Sequence, residues 1–472
     1  MSRAGRNVNG MERTLRTAAR TEGERRLLES FTAIPPDQPV RLAKRTSNLF
    51  RERTRSRTPG LDTTGLSGVR AVDVGTRMAD VDGMCTYEDL VAATLPHGLA
   101  PLVVPQLRTI TLGGAVTGLG IESTSFRNGL PHESVIEMDI LTGTGEIVTA
   151  RPDNEHADLF RGFPNSYGSL GYATRLRIEL EPVRAHVAVR HVRFHDLDAL
   201  CAAIESVMES SAHGGESVDY LDGVVFSADE SYLTLGRQTD DGRHPSDYTG
   251  QEIYYRSLQH DGPEPKRDLL TTHDYLWRWD TDWFWCSRAF GAQNPRVRRL
   301  WPKRYRRSGV YWKLVALDQR LHFSDRVEAR KGNPPRERVV QDVEVPLDHT
   351  AEFLRWFLDE VPIEPIWLCP LRLRGERTWD LYPLSPGRTY VNVGFWSTVP
   401  GAGPGGESGA TNRAIERRVG ELGGHKSLYS DSFYARETFD ALYGGESYAA
   451  LKDAYDPDGR FPHLYDKAVR HA

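Results

Sequence analysis

The first feature that could carry chemistry is a glycine-rich segment at residues 111–129, TLGGAVTGLGIESTSFRNG. It follows the extended segment VVP (103–105), and a second glycine-bearing loop, NSYGSLG (165–171), precedes another strand-like segment. Glycine lets a ligand approach backbone N–H groups closely, and paired loops of this kind at strand ends form anion-binding nests. The pattern predicts a diphosphate site. A glycine-rich surface loop without a ligand is the alternative.

Two common nucleotide-binding motifs do not fit this segment. A Rossmann fingerprint places its glycines between a strand and a helix, with an acidic residue about twenty positions later. Here we expect the glycines to lead into a β-hairpin. No Gly-Lys-Ser/Thr follows them, so the segment is not a P-loop either. A diphosphate site in this chain is therefore expected in a different fold.

Composition excludes several classes of protein. The chain has 472 residues and a formal net charge of −5, which does not suggest a nucleic-acid binder. No apolar run approaches the about 18 residues that span a bilayer, and the N-terminus lacks a signal-peptide core. No C-x-x-C pair indicates a zinc site or a disulfide framework, so we expect no metal, and reduced thiols in a cytoplasmic protein. The four cysteines are Cys85, Cys201, Cys286 and Cys369.

Local patterns predict the elements that would position the glycine loops. Residues 23–34 and 86–98 are typical of helices, and Thr86 and Gly98 supply end signals for the second one. Alternating residues predict a hairpin over 69–84 and another over 134–150, turning at Gly143-Thr144-Gly145. A strand is predicted at 172–182. Together these elements indicate an α+β unit.

The pattern changes near residues 183–186 to longer strands and helices, so two lobes are expected. We predict a disordered tail at 1–22, a cofactor-binding domain at 23–184, a second α+β substrate domain at 185–425, and a C-terminal segment at 426–472 that packs back toward the first domain.

Several short sequence motifs resemble those of a known family. The motif T-x-G-G, the hairpin, DLF and GSLG resemble the FAD-binding domain of the vanillyl-alcohol-oxidase (PCMH) type. Over nearly its whole length the chain resembles the Δ24-sterol reductases. The matching words are VVPQLRTITLGG (103–114), GIESTS (120–125), VVQD (339–342), PIWLCP (365–370), LYSDSFY (428–434) and YDK (465–467).

The resemblance implies a bound FAD and the residues that would hold it. The first diphosphate loop would be KRTSNLF (44–50), which has Arg45 and Thr46 where the family has glycines. Because no histidine occupies that loop, the flavin is expected to be non-covalent. The implied cofactor-binding residues are Thr46, Ser47, Asn48, Leu49, Thr111, Gly113, Gly114, Gly118, Gly120, Ser123, Gly168 and Gly171.

In overall character the chain is similar to bacterial FAD-dependent reductases of 10-methylene fatty-acyl chains. That resemblance implies a lipid acyl substrate, NADPH as electron donor and a methyltransferase as functional partner. The runner-up reactions are a Δ24-sterol-type reduction, or oxidation of an alcohol or sugar on the same fold. A flavin-free lipid-binding or scaffold protein is a hypothesis of another class.

Reduction of an unactivated alkene needs an acid, because no carbonyl can accept the negative charge. Glu122 is the first candidate, since burial beside a flavin and a lipid would raise the proton affinity of its carboxyl. Alternatively, Glu122 bonds backbone N–H groups and shapes the loop. Asp219, Asp222 and Tyr429 are weaker candidates.

Apolar motifs further along the chain predict the residues that contact the substrate. Trp367 could stabilise a developing positive charge through its π face, or it could be a core tryptophan. Cys369 and Tyr434 are further candidates for contact with the substrate. For Cys369 inert packing is the alternative to a nucleophile, and for Tyr434 a core position with a bonded hydroxyl.

The segment 275–307 interleaves tryptophans and other aromatic residues with many arginines. Such a composition is found at lipid headgroups, where rings and cations both gain. It predicts peripheral contact with an anionic membrane at its inner, cytoplasmic face. A core of aromatics beside a solvated row of arginines is the alternative, and stacking on nucleic acid is a third.

Overall fold

The computed structural model describes residues 21–43, 50–51, 59–321, 336–401 and 409–470. Most strands fall into two large antiparallel sheets, and those of the first sheet all precede residue 183. They are β1 (Val69–Asp73), β2 (Met78–Asp82), β3 (Leu99–Pro101), β4 (Val135–Leu141), β5 (Ile147–Ala150) and β6 (Tyr172–Pro182). Their order is β1-β2-β6-β4-β5, and β3 pairs with the end of β6. Both predicted hairpins are present.

The second sheet has eight strands in the order β12-β7-β11-β10-β14-β15-β13-β16, and a separate two-stranded ribbon joins β8 and β9. These strands are β7 (His186–Phe194), β8 (Ala212–His213), β9 (Glu216–Ser217), β10 (Tyr220–Ser227), β11 (Glu230–Thr239), β12 (Lys266–Thr271), β13 (Arg336–Pro346), β14 (Ile366–Leu371), β15 (Tyr390–Pro400) and β16 (His425–Lys426). Sheets and helices together confirm the α+β class.

The helices of the first half are α1 (Glu22–Ala33), α2 (Tyr87–Thr94), α3 (Leu112–Gly118), α4 (Ser125–Asn128), α5 (Ala157–Gly162), α6 (Leu197–Ser210), α7 (Tyr254–Ser257) and α8 (Thr272–Leu276). Those of the second half are α9 (Pro295–Leu300), α10 (Ser308–Leu321), α11 (Leu347–Glu360), α12 (Ala410–Glu421), α13 (Arg436–Leu442), α14 (Gly445–Tyr455) and α15 (Leu464–Ala468). Within the part of the chain that the structure describes, every helix is too short or too polar to cross a bilayer.

The two faces of the second sheet have different neighbours. Side chains alternate along a strand, so each strand sends every second residue to the same face. One face packs under α6, α11 and α12 and is apolar, as Leu221, Leu368 and Val393 show. The opposite face carries Trp367 and Cys369 within an aromatic cluster. A single sheet thus separates an ordinary helix-covered core from a face available for chemistry.

Residues after the second sheet return to the first one. Helices α13, α14 and α15 contribute Phe439, Leu451 and Leu464 to the core of the first sheet. The strand break falls between Pro182 and His186. The domain limits inferred from the sequence stay predictions, and residues 1–20 of the predicted tail lie outside the described residues.

The aromatic residues at 275–285 lie in the cores, Trp277 in that of the first sheet and the others in the aromatic cluster of the second. Trp277, Trp279, Trp283, Phe284 and Trp285 are all buried. Trp279 and Phe284 stack at 5.1 Å between ring centroids, and Phe284 stacks on Trp396 at 4.2 Å. For these five residues the core interpretation holds, and none of them faces a membrane.

Candidate active site

The sequence predicted that the glycine segment leads as a loop into the hairpin. This prediction was wrong. Residues 112–118 form α3, and the Thr111 side chain caps this helix by accepting a hydrogen bond from the N–H of Gly114. The prediction failed because glycine is a poor helix former. The helix is supported instead by contact with the end of β2, where the N–H of Gly113 donates to the oxygen of Gly83 at 2.9 Å.

The predicted cofactor-binding glycines of this segment have close protein neighbours. A Cβ on Gly113 would come within 2.7 Å of the Gly83 oxygen, and one on Gly120 would meet Pro105 and Pro131 at 2.9 and 3.0 Å. A Cβ on Gly118 would lie 3.3 Å from the ring of Tyr167. These glycines therefore let protein segments approach one another, a requirement that the sequence pattern did not reveal.

The two glycine-bearing loops are neighbours in space. The N–H of Tyr167 donates to the oxygen of Thr117 at 2.9 Å, and the Tyr167 hydroxyl donates to the oxygen of Gly118 at 2.7 Å. Gly168 and Gly171 have φ angles of 71° and 140°, which residues with a side chain rarely adopt. The structure thus brings together the two loops that were predicted to form one site.

Buried side-chain atoms without a protein partner show where a polar ligand fits. Gln106 Nε2 before α3, and Asn165 Oδ1 and Ser166 Oγ in the second loop, are buried and make no hydrogen bond within the described residues. Such atoms are expected to have partners, and a ligand rich in polar groups, such as FAD, supplies them. The predicted contacts Thr46, Ser47, Asn48 and Leu49 lie outside the described residues.

Glu122 lies in the turn between α3 and α4 and is buried. Its Oε1 accepts hydrogen bonds from the N–H of Ser123 at 2.7 Å and from the guanidinium of Arg278 at 3.2 Å. Its Oε2 is buried and makes no hydrogen bond with any residue that the structure describes. The Ser123 bond is the loop-shaping contact of the alternative hypothesis. The free oxygen is what an acid needs in order to reach a substrate.

Arg278 links Glu122 to a second carboxyl. Its guanidinium donates to Asp222 Oδ2 at 2.9 Å and lies 4.0 Å from the centre of the Tyr275 ring. The indole N–H groups of Trp279 and Trp367 also donate to Asp222 Oδ2, at 3.1 and 3.2 Å. Three N–H donors thus meet on one oxygen of Asp222. Trp367 is thereby fixed with its ring inside the aromatic cluster.

The charges in this cluster leave one carboxyl unmatched. Two carboxyls share a single guanidinium, and burying a second negative charge without a partner is costly. Burial raises the pKa of Glu122 above its usual range, and the negative charge of Asp222 adds to that rise, while Arg278 opposes it. The surroundings of Glu122 therefore disfavour ionisation of its carboxyl.

Glu122 also borders a small cavity. Its volume is about 10 Å³, and its lining includes Leu102, Val104, Ser123, Tyr220 and Leu276. A space of this size holds about one water molecule. The predicted acid is thus isolated from bulk solvent while keeping room for one proton carrier.

Cys369 and Tyr434 occupy different surroundings. Cys369 lies near Trp367 on β14 and is fully buried. Burial raises the pKa of its thiol well above the usual range, with Glu122 and Asp222 adding to the effect, so it is suited to packing and not to nucleophilic attack. Tyr434 packs against the core of the first sheet, and its ring lies 6.1 Å from that of Tyr443. The structure therefore does not place Tyr434 in the cluster of Trp367 and Cys369.

A second buried acid faces the same side of the sheet and was not singled out from the sequence. Asp342 lies opposite Gly394 in the β13–β15 register and bonds Asn392 and the hydroxyl of Tyr429. Burial raises its pKa to about 7, and those two hydrogen bonds oppose the rise. The Tyr429 hydroxyl also accepts from Trp396 Nε1 at 3.0 Å. The only sequence signal for Asp342 was its place in the motif VVQD.

Within the described residues no cluster of three or more His, Cys, Asp or Glu side chains is arranged to hold a metal ion. The acids named above are instead paired with arginine, tryptophan, tyrosine and asparagine donors. The site is thus built from carboxyls, indoles and a guanidinium.

Comparison with known proteins agrees with this architecture. A model of the FAD binding domain family matches residues 36–151. Human Δ24-sterol reductase is 26% identical over 419 residues, which cover 86% of this chain and 77% of the human protein. The Arabidopsis thaliana Δ24-sterol reductase is 25% identical over 437 residues, covering 83% of this chain and 73% of the plant protein.

A more distant type of relative matches a shorter stretch. Cytokinin dehydrogenase 6 of Oryza sativa subsp. japonica is 37% identical over 147 residues, which cover 31% of this chain and 27% of the rice protein. The glycine loops, the buried acid beside them and the matched domain lead to one conclusion. The chain is an FAD-dependent oxidoreductase that carries an FAD binding domain and resembles the Δ24-sterol reductases over most of its length.

Proposed function

We propose that this protein reduces a carbon–carbon double bond in a lipid. The observation that carries the proposal is Glu122, a buried carboxyl whose Oε2 accepts no hydrogen bond among the described residues and whose pKa is raised by burial and by the charge of Asp222. The names of the relatives support it, since the Δ24-sterol reductases are named for reducing a sterol double bond. An acid next to electron-rich rings suits protonation of an alkene.

We further propose a 10-methylene fatty-acyl chain as the substrate, with NADPH as the electron donor. The product is the 10-methyl-branched chain, and the overall reaction adds one hydride from NADPH and one proton across the double bond. A methyltransferase that forms the methylene group would supply the substrate. The apolar cluster beside the acid supports this choice, because Trp367, Cys369 and Phe284 belong to it and Trp367 bonds the same Asp222 oxygen as Arg278, the partner of Glu122.

The residues of the chain account for the proton. Glu122 gives its proton to the less substituted carbon, and positive charge develops on the more substituted one. The ring of Trp367 stabilises that charge, and Arg278 remains paired with Asp222 when Glu122 becomes ionised. FAD, when bound, supplies the hydride. Gln106, Asn165 and Ser166 offer it polar contacts.

A Δ24-sterol-type reduction is the second candidate, favoured by the length of the match to those enzymes. Lipid analysis of a strain with and without this protein distinguishes the two. The proposal expects a methylene-branched chain to accumulate without the protein and its methyl counterpart to disappear. Unchanged fatty acids together with a change in sterol side chains would favour the second candidate.

Oxidation of an alcohol or sugar is tested on the purified protein. Anaerobic NADPH should bleach the flavin absorbance at about 450 nm, and a methylene-branched lipid should then restore it. Bleaching by an alcohol or sugar, with no response to NADPH, would contradict the proposal. Protein that stays colourless after addition of FAD would support the flavin-free hypothesis instead.

A further inference from the structure

Exposed apolar side chains are concentrated in one short stretch. Five large hydrophobic side chains are exposed among the described residues, and four of them lie between positions 297 and 317. They are Val297, Leu300, Tyr305 and Leu317, at 40%, 85%, 44% and 51% exposure. The fifth, Val74 at 50%, lies after β1 in the first sheet. An apolar cluster of this kind marks an interaction site.

The cluster is surrounded by positive charge. Arg296, Arg299, Lys303 and Arg304 are exposed within the same stretch. Lys303 pairs with Asp247 at 2.9 Å, whereas no acidic side chain of the described residues lies within ion-pair distance of Arg296, Arg299 or Arg304. The surface is therefore basic in a chain whose formal net charge is −5.

Buried arginines hold this surface in place. Arg298, on the inner side of α9, donates to Asp282 at 2.6 and 3.0 Å and to the oxygen of Gly250 at 2.9 Å. Arg306 donates to the oxygen of Trp301, and Trp301 Nε1 donates to the oxygen of Tyr305. The turn at 301–306 is thus fixed to the end of α9.

The spacing places the apolar residues on one side of the helix. Val297 and Leu300 are three positions apart on α9, so their side chains are neighbours. Arg296 and Arg299 have the same spacing and flank them. The guanidinium of Arg304 lies 4.8 Å from the centre of the Tyr305 ring. We name the set Arg296, Val297, Arg299, Leu300, Lys303, Arg304 and Tyr305 the 296–305 surface.

We infer that the 296–305 surface docks on a bilayer of anionic lipid. Aliphatic side chains enter the boundary between headgroups and acyl chains, arginines and lysines face the phosphates, and a tyrosine occupies the interface. The buried tryptophans take no part in it. The inference rests on exposure and charge, and it does not depend on which reaction the site performs.

Sedimentation of the flavin-loaded protein with vesicles tests the inference. We expect binding to phosphatidylglycerol vesicles, little binding to phosphatidylcholine vesicles, and release as salt rises from about 0.1 M to about 1 M, because the screening length falls from about 10 Å to about 3 Å. Leu300→Asp should weaken binding at least about tenfold, since it replaces apolar burial by a charge that the lipid repels. Val74→Asp, at an equally apolar exposed site in the first sheet, should bind as the wild type does.

Other results would overturn the inference. Absence of binding to anionic vesicles would do so, as would equal weakening by Leu300→Asp and Val74→Asp. Light scattering addresses a second copy of the chain as the occupant. A dimer that Leu300→Asp dissociates, without vesicle binding, would assign the surface to self-association. Flavin content and circular dichroism of each variant show whether it is folded.

Discussion

Glu122 and Asp222 compete for one guanidinium, and this competition determines the behaviour of the acid. Asp222 Oδ2 receives three N–H donors, whereas Glu122 Oε1 receives two, Arg278 and one backbone N–H, and the second oxygen of each carboxyl accepts no hydrogen bond among the described residues. Neighbouring groups that divide their charge states in this way characterise acid–base sites. The proton of Glu122 should therefore depend on Asp222.

We predict that Asp222→Asn moves the pH dependence of alkene reduction. Protonated Glu122 is the active form, so the rate is full at low pH and falls as pH rises through the pKa of Glu122. Removing the negative charge of Asp222 lowers that pKa, so the descending limb should shift to lower pH. The measurement is the rate at which substrate reoxidises the reduced flavin in single turnovers across pH.

Two variants complete that experiment. Glu122→Gln should reduce the rate by about 100-fold or more, because a general acid contributes a factor of this order. It should also remove the descending limb of the pH–rate profile. Asp219→Asn is the matched control on the same segment. Its Oδ2 accepts from the N–H of Gln238, away from Arg278, so the limb should not move. A limb unchanged in Asp222→Asn would contradict the role given to the cluster.

Asp342 leads to a prediction about stability. Its pKa is raised to about 7 in the fold and is near 3.8 when unperturbed. A carboxyl that folding makes harder to ionise costs stability as pH rises between these two values, and the cost is constant above them. Asp342→Asn removes this pH-dependent loss of stability. Between about pH 5 and about pH 8 the wild type should lose about 3 kcal/mol more unfolding free energy than the variant.

Chemical denaturation of both proteins at the two pH values measures that difference. The change in unfolding free energy between the two pH values is determined for each protein. Subtracting one change from the other cancels the contributions of the other titrating groups. An equal loss in wild type and variant would show that Asp342 titrates normally in the fold.

At the scale of elements, local signals and long-range contacts account for different parts of the structure. Strand β6 at 172–182 was predicted to the residue, because alternation is a local pattern. Helix α3 was missed, since its support comes from Gly83 on another segment.

The same division holds for the site. Glu122 could be named from its place between glycines, but Arg278 lies 156 positions further along the chain. Only the fold brings the two together, and the sequence signal for Arg278 was limited to its place in WRWD. Asp342 lay in a word that carried a family resemblance without a hint of its burial.

We predict that Gly113→Ala destabilises the protein. The added methyl group would come within 2.7 Å of the Gly83 oxygen, so α3 would have to move away from β2. Overpacking of this kind costs about 1–3 kcal/mol. Gly420→Ala in α12 is the matched control, because nothing lies within 4 Å of its added methyl group. Alanine is the better helix former, so this control should be neutral or stabilising by up to about 1 kcal/mol.

Denaturant unfolding of the two glycine variants, with flavin retention as a second measurement, makes that comparison. Equal stability of Gly113→Ala and wild type would mean that α3 does not depend on its contact with Gly83.

At the scale of the whole molecule, the turn after α3 ties the two sheets together. Ile121 packs against the core of the first sheet and against the aromatic cluster of the second. The backbone oxygens of Ser123 and Ser125 accept hydrogen bonds from the N–H groups of Leu221 and Arg372 in the second lobe. The C-terminal helices return to the first sheet. Neither sheet can therefore lose its structure without disturbing the other.

We predict a single unfolding transition for the flavin-loaded protein. Tryptophan fluorescence reports mainly on the aromatic cluster of the second lobe, and flavin release reports on the first. The two signals should change at the same temperature, which is the test of two-state behaviour. Transitions separated by several degrees would show that the lobes unfold independently.

The opposite faces of the eight-stranded sheet have a consequence for how such a protein diversifies. Positions 367, 369, 392 and 394 alternate with residues that are held under α6, α11 and α12. Exchanging the first set would remodel the aromatic face and leave the apolar core under the helices intact. If the substrate meets this face, as the proposed reaction requires, new substrates are acquired by changing every other residue of a few strands.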